Sequence, residues 1–365
     1  MAFNTVGFIG LGLIGGSIAK KMRLNNPKIK IYASARRQET IDIAYNMELI
    51  DNNISYNIDD FSECDYIFLC APVINNIEYL KKLKTVVKET CIITDVGSTK
   101  TEIHEEVIRQ NLERNFIGGH PMTGSEKTGI ENADEYLLEN AYYIITPTKA
   151  NSEEQISEFH NFVKSLGSIP LILDYKRHDY ATASISHLPH MISYALTNLV
   201  KDIDDQDETM KTIAAGGFRD MTRIAASSPV MWQNICQSNK VQILKLMDLY
   251  IDELNHLKDS IYNSEKENLL NYFQSAKDYR DSLFVPNKRS RTVCYEMFVD
   301  LVDETGGIAI IASMLAFKNI NIKNIGIINN REFEEGVLRI EFYNQDALDL
   351  AIQVLQDKNY TIYFR

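Results

Sequence analysis

The chain has 365 residues, 45% of them hydrophobic and 24% charged, an ordinary globular composition long enough for two or three domains. Lys and Arg number 38 against 50 Asp and Glu, so the formal net charge is −12, which disfavours non-specific binding to nucleic acid or anionic membranes. No basic segment leads into an apolar stretch at the start, and no run of about 18 apolar residues occurs, so a cytoplasmic protein without membrane spans is expected.

Thr5–Ile9 reads as a strand, followed by a glycine turn and a helix over Gly15–Leu24. Lys30–Ser34 is a second strand and Glu39–Asn46 a second helix. Tyr66–Cys70, Cys91–Thr94, Phe116–Gly118 and Tyr142–Ile145 are further short apolar runs without in/out alternation, which suits a parallel sheet covered on both faces. Residues 1–172 therefore read as a doubly wound α/β dinucleotide-binding domain. Residues 173–285 read as an all-helical domain, with long helices over Ala181–Val200, Glu208–Ala226 and Pro229–Ser260. Leu254, Leu257 and Ile261 continue an apolar stripe assigned to core packing. A basic linker is expected over 286–293, within Phe284-Val285-Pro286-Asn287 and Lys288-Arg289-Ser290-Arg291. Residues 294–365 then follow the order βαββαβ, with strands at Cys294–Val302, Asn321–Ile328, Gly336–Phe342 and Tyr360–Phe364. That order is ferredoxin-like, and its sheet edges want a partner. The five cysteines, Cys64, Cys70, Cys91, Cys236 and Cys294, are scattered and unpaired in spacing, so reduced thiols are expected and no metal site.

Gly10, Gly12 and Gly15 sit between a strand and a helix, the context in which GxGxxG binds a dinucleotide. Gly10 permits the tight turn, Gly12 lets the backbone approach the pyrophosphate, and Gly15 allows close helix–strand packing. The N–H groups at the helix start, around Leu13 and Ile14, then hold the phosphates without a cationic side chain. An acid is expected at the end of the second strand for the ribose of NAD. Here that stretch reads Ser34-Ala35-Arg36-Arg37, and two arginines suit a 2′-phosphate, so NAD is expected with NADP not excluded.

Two strand ends carry polar clusters, Asp95-Val96-Gly97-Ser98-Thr99-Lys100 and Gly118-Gly119-His120-Pro121-Met122-Thr123-Gly124-Ser125-Glu126. Ligands of open α/β sheets bind beyond the carboxyl ends of strands, where both clusters fall. His120 lies outside any periodic apolar stretch and is a candidate base, with Ser98 a candidate to fix its tautomer. Further on, Ser186-His187-Leu188-Pro189-His190 places two histidines on nearly one helix face. Arg219 and Arg223 stand four apart, a mildly unfavourable spacing that makes sense if both face an anion.

The segments GLGLIGGS, DVGSTK, GGHPMTGSE, SHLPH and GFRDMTRIAASSPVMW, in this order, resemble the prephenate dehydrogenase family, and the tail resembles an ACT regulatory domain. The resemblance implies oxidative decarboxylation of prephenate to 4-hydroxyphenylpyruvate, in tyrosine biosynthesis, with hydride transfer to NAD(P)+. It implies that His120 takes the proton of the ring C4 hydroxyl and that Ser98 orients His120 and touches the same hydroxyl. It implies that Arg223, with Arg219 nearby, binds a carboxylate. Ser125, Glu126, Ser186, His187, His190 and Trp232 match pocket positions. It further implies a homodimer and inhibition by tyrosine; Thr305-Gly306-Gly307 departs from the pattern, since many ACT domains carry Pro-Gly at that turn. The residues leave open NAD against NADP, and prephenate against arogenate. A β-hydroxyacid or imine reductase would carry a Lys where this chain has the SHLPH histidines, and a purely amino-acid-sensing module would not need Ser98, His120 and Arg223 together.

Overall fold

The computed structural model describes residues 4–124, 127–283, 295–301, 305–328 and 336–363. The expected linker and the positions Ser125, Glu126, Cys294 and Phe364 lie outside the described residues. The chain divides into two compact units, residues 1–256 and 257–365.

In the first unit, β1 (Thr5–Ile9) leads into α1 (Leu13–Asn25), β2 (Lys30–Ser34) and α2 (Gln38–Asn46). β3 (Tyr66–Leu69), α3 (Val73–Leu83), β4 (Ile92–Asp95) and α4 (Thr101–Gln110) follow. These strands pair in parallel in the order β2-β1-β3-β4. The continuous apolar runs of the sequence have their cause here, because alternate residues feed two separate cores. Val6, Phe8, Tyr66 and Phe68 pack on one face of the sheet, and Ile9, Ile67, Leu69 and Ile93 on the other.

β5 (Ile117–Pro121), β6 (Tyr142–Pro147), α5 (Glu153–Ser165) and β7 (Ile169–Ile172) extend this sheet, through one parallel bridge between Ile93 and Phe116. The sheet is not wholly parallel as expected: β6 runs antiparallel to β5. Among the described residues the connection between them holds only a short 3₁₀ turn, Ile130–Asn132, and without a crossover helix the chain returns alongside. α5 is a true crossover, and β6 and β7 are parallel. β5 also runs further than the apolar signal, so His120 lies within the strand rather than past its end.

The helical region is more broken than its periodicity suggests. α6 (Tyr175–Thr182) passes through a π-turn, Ala183–His187, into α7 (Leu188–Ile203). In place of one helix over 208–226 there are α8 (Thr209–Ile213), α9 (Gly216–Thr222) and a 3₁₀ turn, Arg223–Ala226. α10 (Pro229–Ser238) ends at Asn239, and α11 (Lys240–Tyr262) begins there. Leu254 and Ile261, expected in a core stripe, are exposed on the single chain.

The second unit contains α12 (Lys266–Ser282), β8 (Tyr295–Leu301), α13 (Gly307–Phe317), β9 (Ile322–Ile328), β10 (Gly336–Phe342), α14 (Gln345–Gln356) and β11 (Ile362–Tyr363). The sheet order β11-β8-β10-β9 is antiparallel throughout, which is the ferredoxin-like arrangement expected. Met297, Val299, Ile311, Leu338, Ile340 and Leu355 form its core. Gly306, at φ +92°, takes the left-handed conformation just before α13.

Candidate active site

The strand order reverses direction between β1 and β3, and a crevice of about 510 Å³ opens there, lined by Gly10, Gly12, Ser34, Arg36, Arg37 and Tyr79 among others. Gly10 has φ +88°, and a Cβ there would stand 2.8 Å from the Ala71 backbone nitrogen at the end of β3. Gly15 packs on Cys70, whose sulfur a Cβ would meet at 3.0 Å. Gly12 differs: nothing lies within 4 Å of where its Cβ would be, so packing within the protein does not demand a glycine. A ligand laid on the backbone does. α1 opens at Leu13 with no side-chain cap, which leaves the N–H groups of its first turn, through Ile14 and Gly15, to an anion. The residues present therefore fit a dinucleotide. Arg36 and Arg37 are exposed and form no ion pair among the described residues.

The histidines gather beside the ends of β4 and β5, on the same carboxyl edge of the sheet as the glycine turn. His120, on β5, is 8% exposed, and its Nδ1 lies 2.8 Å from Nε2 of His178 on α6. Nδ1 of His178 lies 2.8 Å from Oδ1 of Asp179. Asp179 is itself fixed by the start of α4: its Oδ1 accepts from the Lys100 N–H and its Oδ2 from the Thr101 N–H, both at 2.7 Å. Burial alone would raise the Asp179 carboxyl, but the hydrogen bonds from His178 and Thr101 outweigh it and hold the group below the usual carboxylate range. Burial first, then the charges of His178, Lys100 and His187, push the His120 imidazole well below its ordinary value. Lys100 is fully buried in an ion pair with Asp95, and Asp95 Oδ1 accepts from the Gly119 N–H at 3.3 Å, which ties β4 to β5 next to His120.

The π-turn sets the second pair of histidines. His187 is buried, and Asn239 donates to its Nδ1 at 3.3 Å while also donating to the Asp179 carbonyl at 2.9 Å. Burial pushes His187 down to about 4, so it is uncharged with its proton on Nε2. His190 donates from Nδ1 to the Ser186 carbonyl at 2.9 Å and stacks on Trp232, ring centres 3.8 Å apart. Trp232 is 5% exposed and its Nε1 has no partner among the described residues. Arg223 lies close enough to His190 to add, after burial, to the lowering of its pKa. Arg219 and Arg223 are exposed, free of ion pairs among the described residues, and on successive short elements rather than one helix.

Histidines 120, 187 and 190, Ser186, Trp232 and Arg223 are thus brought into one neighbourhood. Ser98, half-buried, makes no side-chain hydrogen bond among the described residues. The group within hydrogen-bond distance of His120 Nδ1 is His178 Nε2 rather than Ser98. Ser125 and Glu126 lie outside the described residues. The sequence reading missed His178, Asp179 and Asn239. The one signal for the first two was two ionisable neighbours in a helix with no apolar stripe.

A family model described as prephenate dehydrogenase, nucleotide-binding domain, matches residues 18–169, and one described as prephenate dehydrogenase, dimerization domain, matches residues 174–275. The prephenate dehydrogenase of Bacillus subtilis (strain 168) is 36% identical over 97% of this chain and 96% of its own length. The crystal structure of prephenate dehydrogenase from Aquifex aeolicus in complex with hydroxyphenyl propionate and NAD+ matches with a TM-score of 0.73 at 32% identity, over 78% of this chain and 99% of that one. Synechocystis arogenate dehydrogenase matches with a TM-score of 0.69 at 32% identity, over 76% and 99% of the two chains. Two successive family models and a 36% identical relative aligned over nearly its full length lead to one conclusion: the chain belongs to the prephenate dehydrogenase family.

Proposed function

We propose that this chain oxidatively decarboxylates prephenate to 4-hydroxyphenylpyruvate. The observation that carries the proposal is the buried His120, whose Nδ1 is engaged by His178 so that Nε2 is left for a substrate proton. When bound in the crevice at Gly10, Gly12 and Gly15, NAD(P)+ supplies the hydride acceptor.

In this reading His120 takes the proton of the C4 hydroxyl, a contribution of about 10²–10⁴-fold for a positioned base. Ser98 is assigned to the same hydroxyl by analogy with the family. Arg223, seconded by Arg219, holds a substrate carboxylate, which needs a local cationic site in a chain of net charge −12. His187 offers an Nε2–H donor, and Trp232 with His190 forms a flat wall for the ring. Ser125, Glu126 and Ser186 complete the pocket by analogy with the family.

Arg36 and Arg37, with Ala35 in place of an acid, support acceptance of NADP+ alongside NAD+. Exposed Leu199 and Ile203 on α7, and Val241, Leu244 and Leu254 on α11, support a homodimer, as does the name of the second family model. The ferredoxin-like unit supports tyrosine as its effector, in keeping with the ACT-like reading of the sequence, and a nicotinamide enzyme of this kind fits the cytoplasm.

Steady-state assay of prephenate and arogenate, each with NAD+ and NADP+, tests the reading. Turnover of prephenate with release of CO₂ is expected. Turnover of arogenate alone, or of neither, would overturn it.

A further inference from the structure

Asp179, His178 and His120 lie in line, each link 2.8 Å long. The direction of the line follows from its buried end. Asp179 accepts two backbone N–H groups and has no proton to give, so His178 must donate to it from Nδ1. An uncharged His178 then has a bare Nε2, which can only accept. His120 must therefore donate from Nδ1, and its own Nε2 carries the lone pair. A cationic His178 would reverse the last link and place a proton on His120 Nε2, which would leave no base.

We propose that His178, oriented by Asp179, is a positioning and proton-sharing residue, so that the base of the reaction is the His120–His178 pair rather than His120 alone. The inference rests on the function proposed above and adds to it the path of the proton. As hydride leaves C4 for the nicotinamide, the C4 O–H bond breaks and its electrons form the C4 carbonyl. The proton goes to His120 Nε2, and the Nδ1 proton of His120 crosses to His178 Nε2. The cation then rests beside the Asp179 carboxylate, which stays ionised. When the bond from C1 to its carboxylate breaks and CO₂ leaves, that electron pair enters the ring and returns to the C4 oxygen. Both protons step back, and the oxygen becomes the phenol.

Two features of the site favour sharing. Burial and the neighbouring Lys100 and His187 disfavour a cation confined to His120, whereas His178 has Asp179 in contact. The donor and acceptor are both imidazoles, so the transfer is not opposed by intrinsic basicity, unlike a transfer onto the carboxylate. The reaction also releases no net proton, since the oxygen that loses one regains one. A relay whose members are 0%, 0% and 8% exposed, with no route to water required, suits that balance.

The test begins with the unaltered free chain. Nitrogen-15 NMR of its histidines, with the His120 signals identified by their loss in His120→Asn, should show His120 protonated at Nδ1 and bare at Nε2. A proton on Nε2 overturns the relay, whatever the variants do. His178→Gln keeps an acceptor for the His120 N–H but cannot take a proton. It should retain the tautomer, the KM for prephenate and the cofactor affinity, while kcat falls about 10- to 100-fold. The pH profile of kcat should shift with it; the groups facing the pair are Lys100, His187, His104 and Asp179. A kcat within about twofold of the unaltered chain, with an unmoved profile, overturns proton sharing. An unaltered chain that shows the expected tautomer but is inert with prephenate overturns the substrate reading and supports the resting relay.

Discussion

At the scale of single residues the site divides into groups that make bonds within the protein and groups that do not. Among the described residues, the His120 ring is hydrogen-bonded on one side only, at Nδ1. Replacing it with Asn removes the base while leaving the crevice at Gly10, Gly12 and Gly15 untouched, so kcat should fall at least about 100-fold with cofactor affinity unchanged. Near-normal turnover would refute its role. Arg223 has no ion pair among the described residues, so its removal strands no buried partner. Its loss should be felt in binding: Arg223→Ala should raise the KM for prephenate about tenfold or more, the cost of a charge-assisted pair, with little change in melting temperature. An unchanged KM would count against the carboxylate clamp. The sequence shows these two residues because each stands in a distinctive stretch. His178 and Asp179 stay hidden for a physical reason. The buried residues of α6 are His178, Asp179 and Thr182, a polar face that no hydrophobic period can reveal.

At the scale of elements, legibility follows how each element earns its burial. β1, β3 and β4 are buried on both faces and read directly as apolar runs. β5 does not, because Gly118, Gly119 and His120 replace apolar residues with close contacts. Gly118 is backed by the Thr146 hydroxyl and by His104 Nε2, which would lie 2.8 Å from an added Cβ. Those two side chains bond each other at 2.9 Å, and His104 stacks on Tyr175, so neither can move freely. Gly118→Ala should therefore destabilise the chain by about 1–3 kcal/mol, measured from the denaturant midpoint, as overpacking usually does. No change in the midpoint would mean that the strand can shift, and that the place of His120 on it is less fixed than described. The π-turn was equally invisible. A residue added to the helical turn at Ala183–His187 leaves an apolar pattern nearly intact while rotating His187 toward Asn239 and Trp232.

At the scale of the molecule, two properties are separable. The ferredoxin-like unit was legible in topology from strand order alone, because its strands alternate and its core is self-contained. If it is the sensor, tyrosine should inhibit the full chain more strongly than a chain ending at Asn287, and equal inhibition would place tyrosine in the active site. The second property is acid sensitivity, and its cause lies in the first unit. Burial, aided by Lys100, pushes His104 down to about 3, and burial pushes His187 down to about 4. In the unfolded chain both return to about 6.5. Above that pH neither state binds these protons, and their contribution to stability is complete. As pH falls below it, the unfolded chain takes up protons that the folded chain refuses. Stability is then lost down to about pH 4 for His187 and about pH 3 for His104. Each tenfold difference in proton affinity is worth about 1.4 kcal/mol, so His104 alone approaches a loss on the order of 4 kcal/mol at the acid end. His104→Gln can keep an amide on the Thr146 hydroxyl without a group that must stay uncharged. Its melting temperature should be lower than that of the unaltered chain at pH 7.5 yet decline less between pH 7.5 and 5, in thermal melts run side by side. Parallel declines would show that His104 titrates alike in both states and that the acid sensitivity has another source.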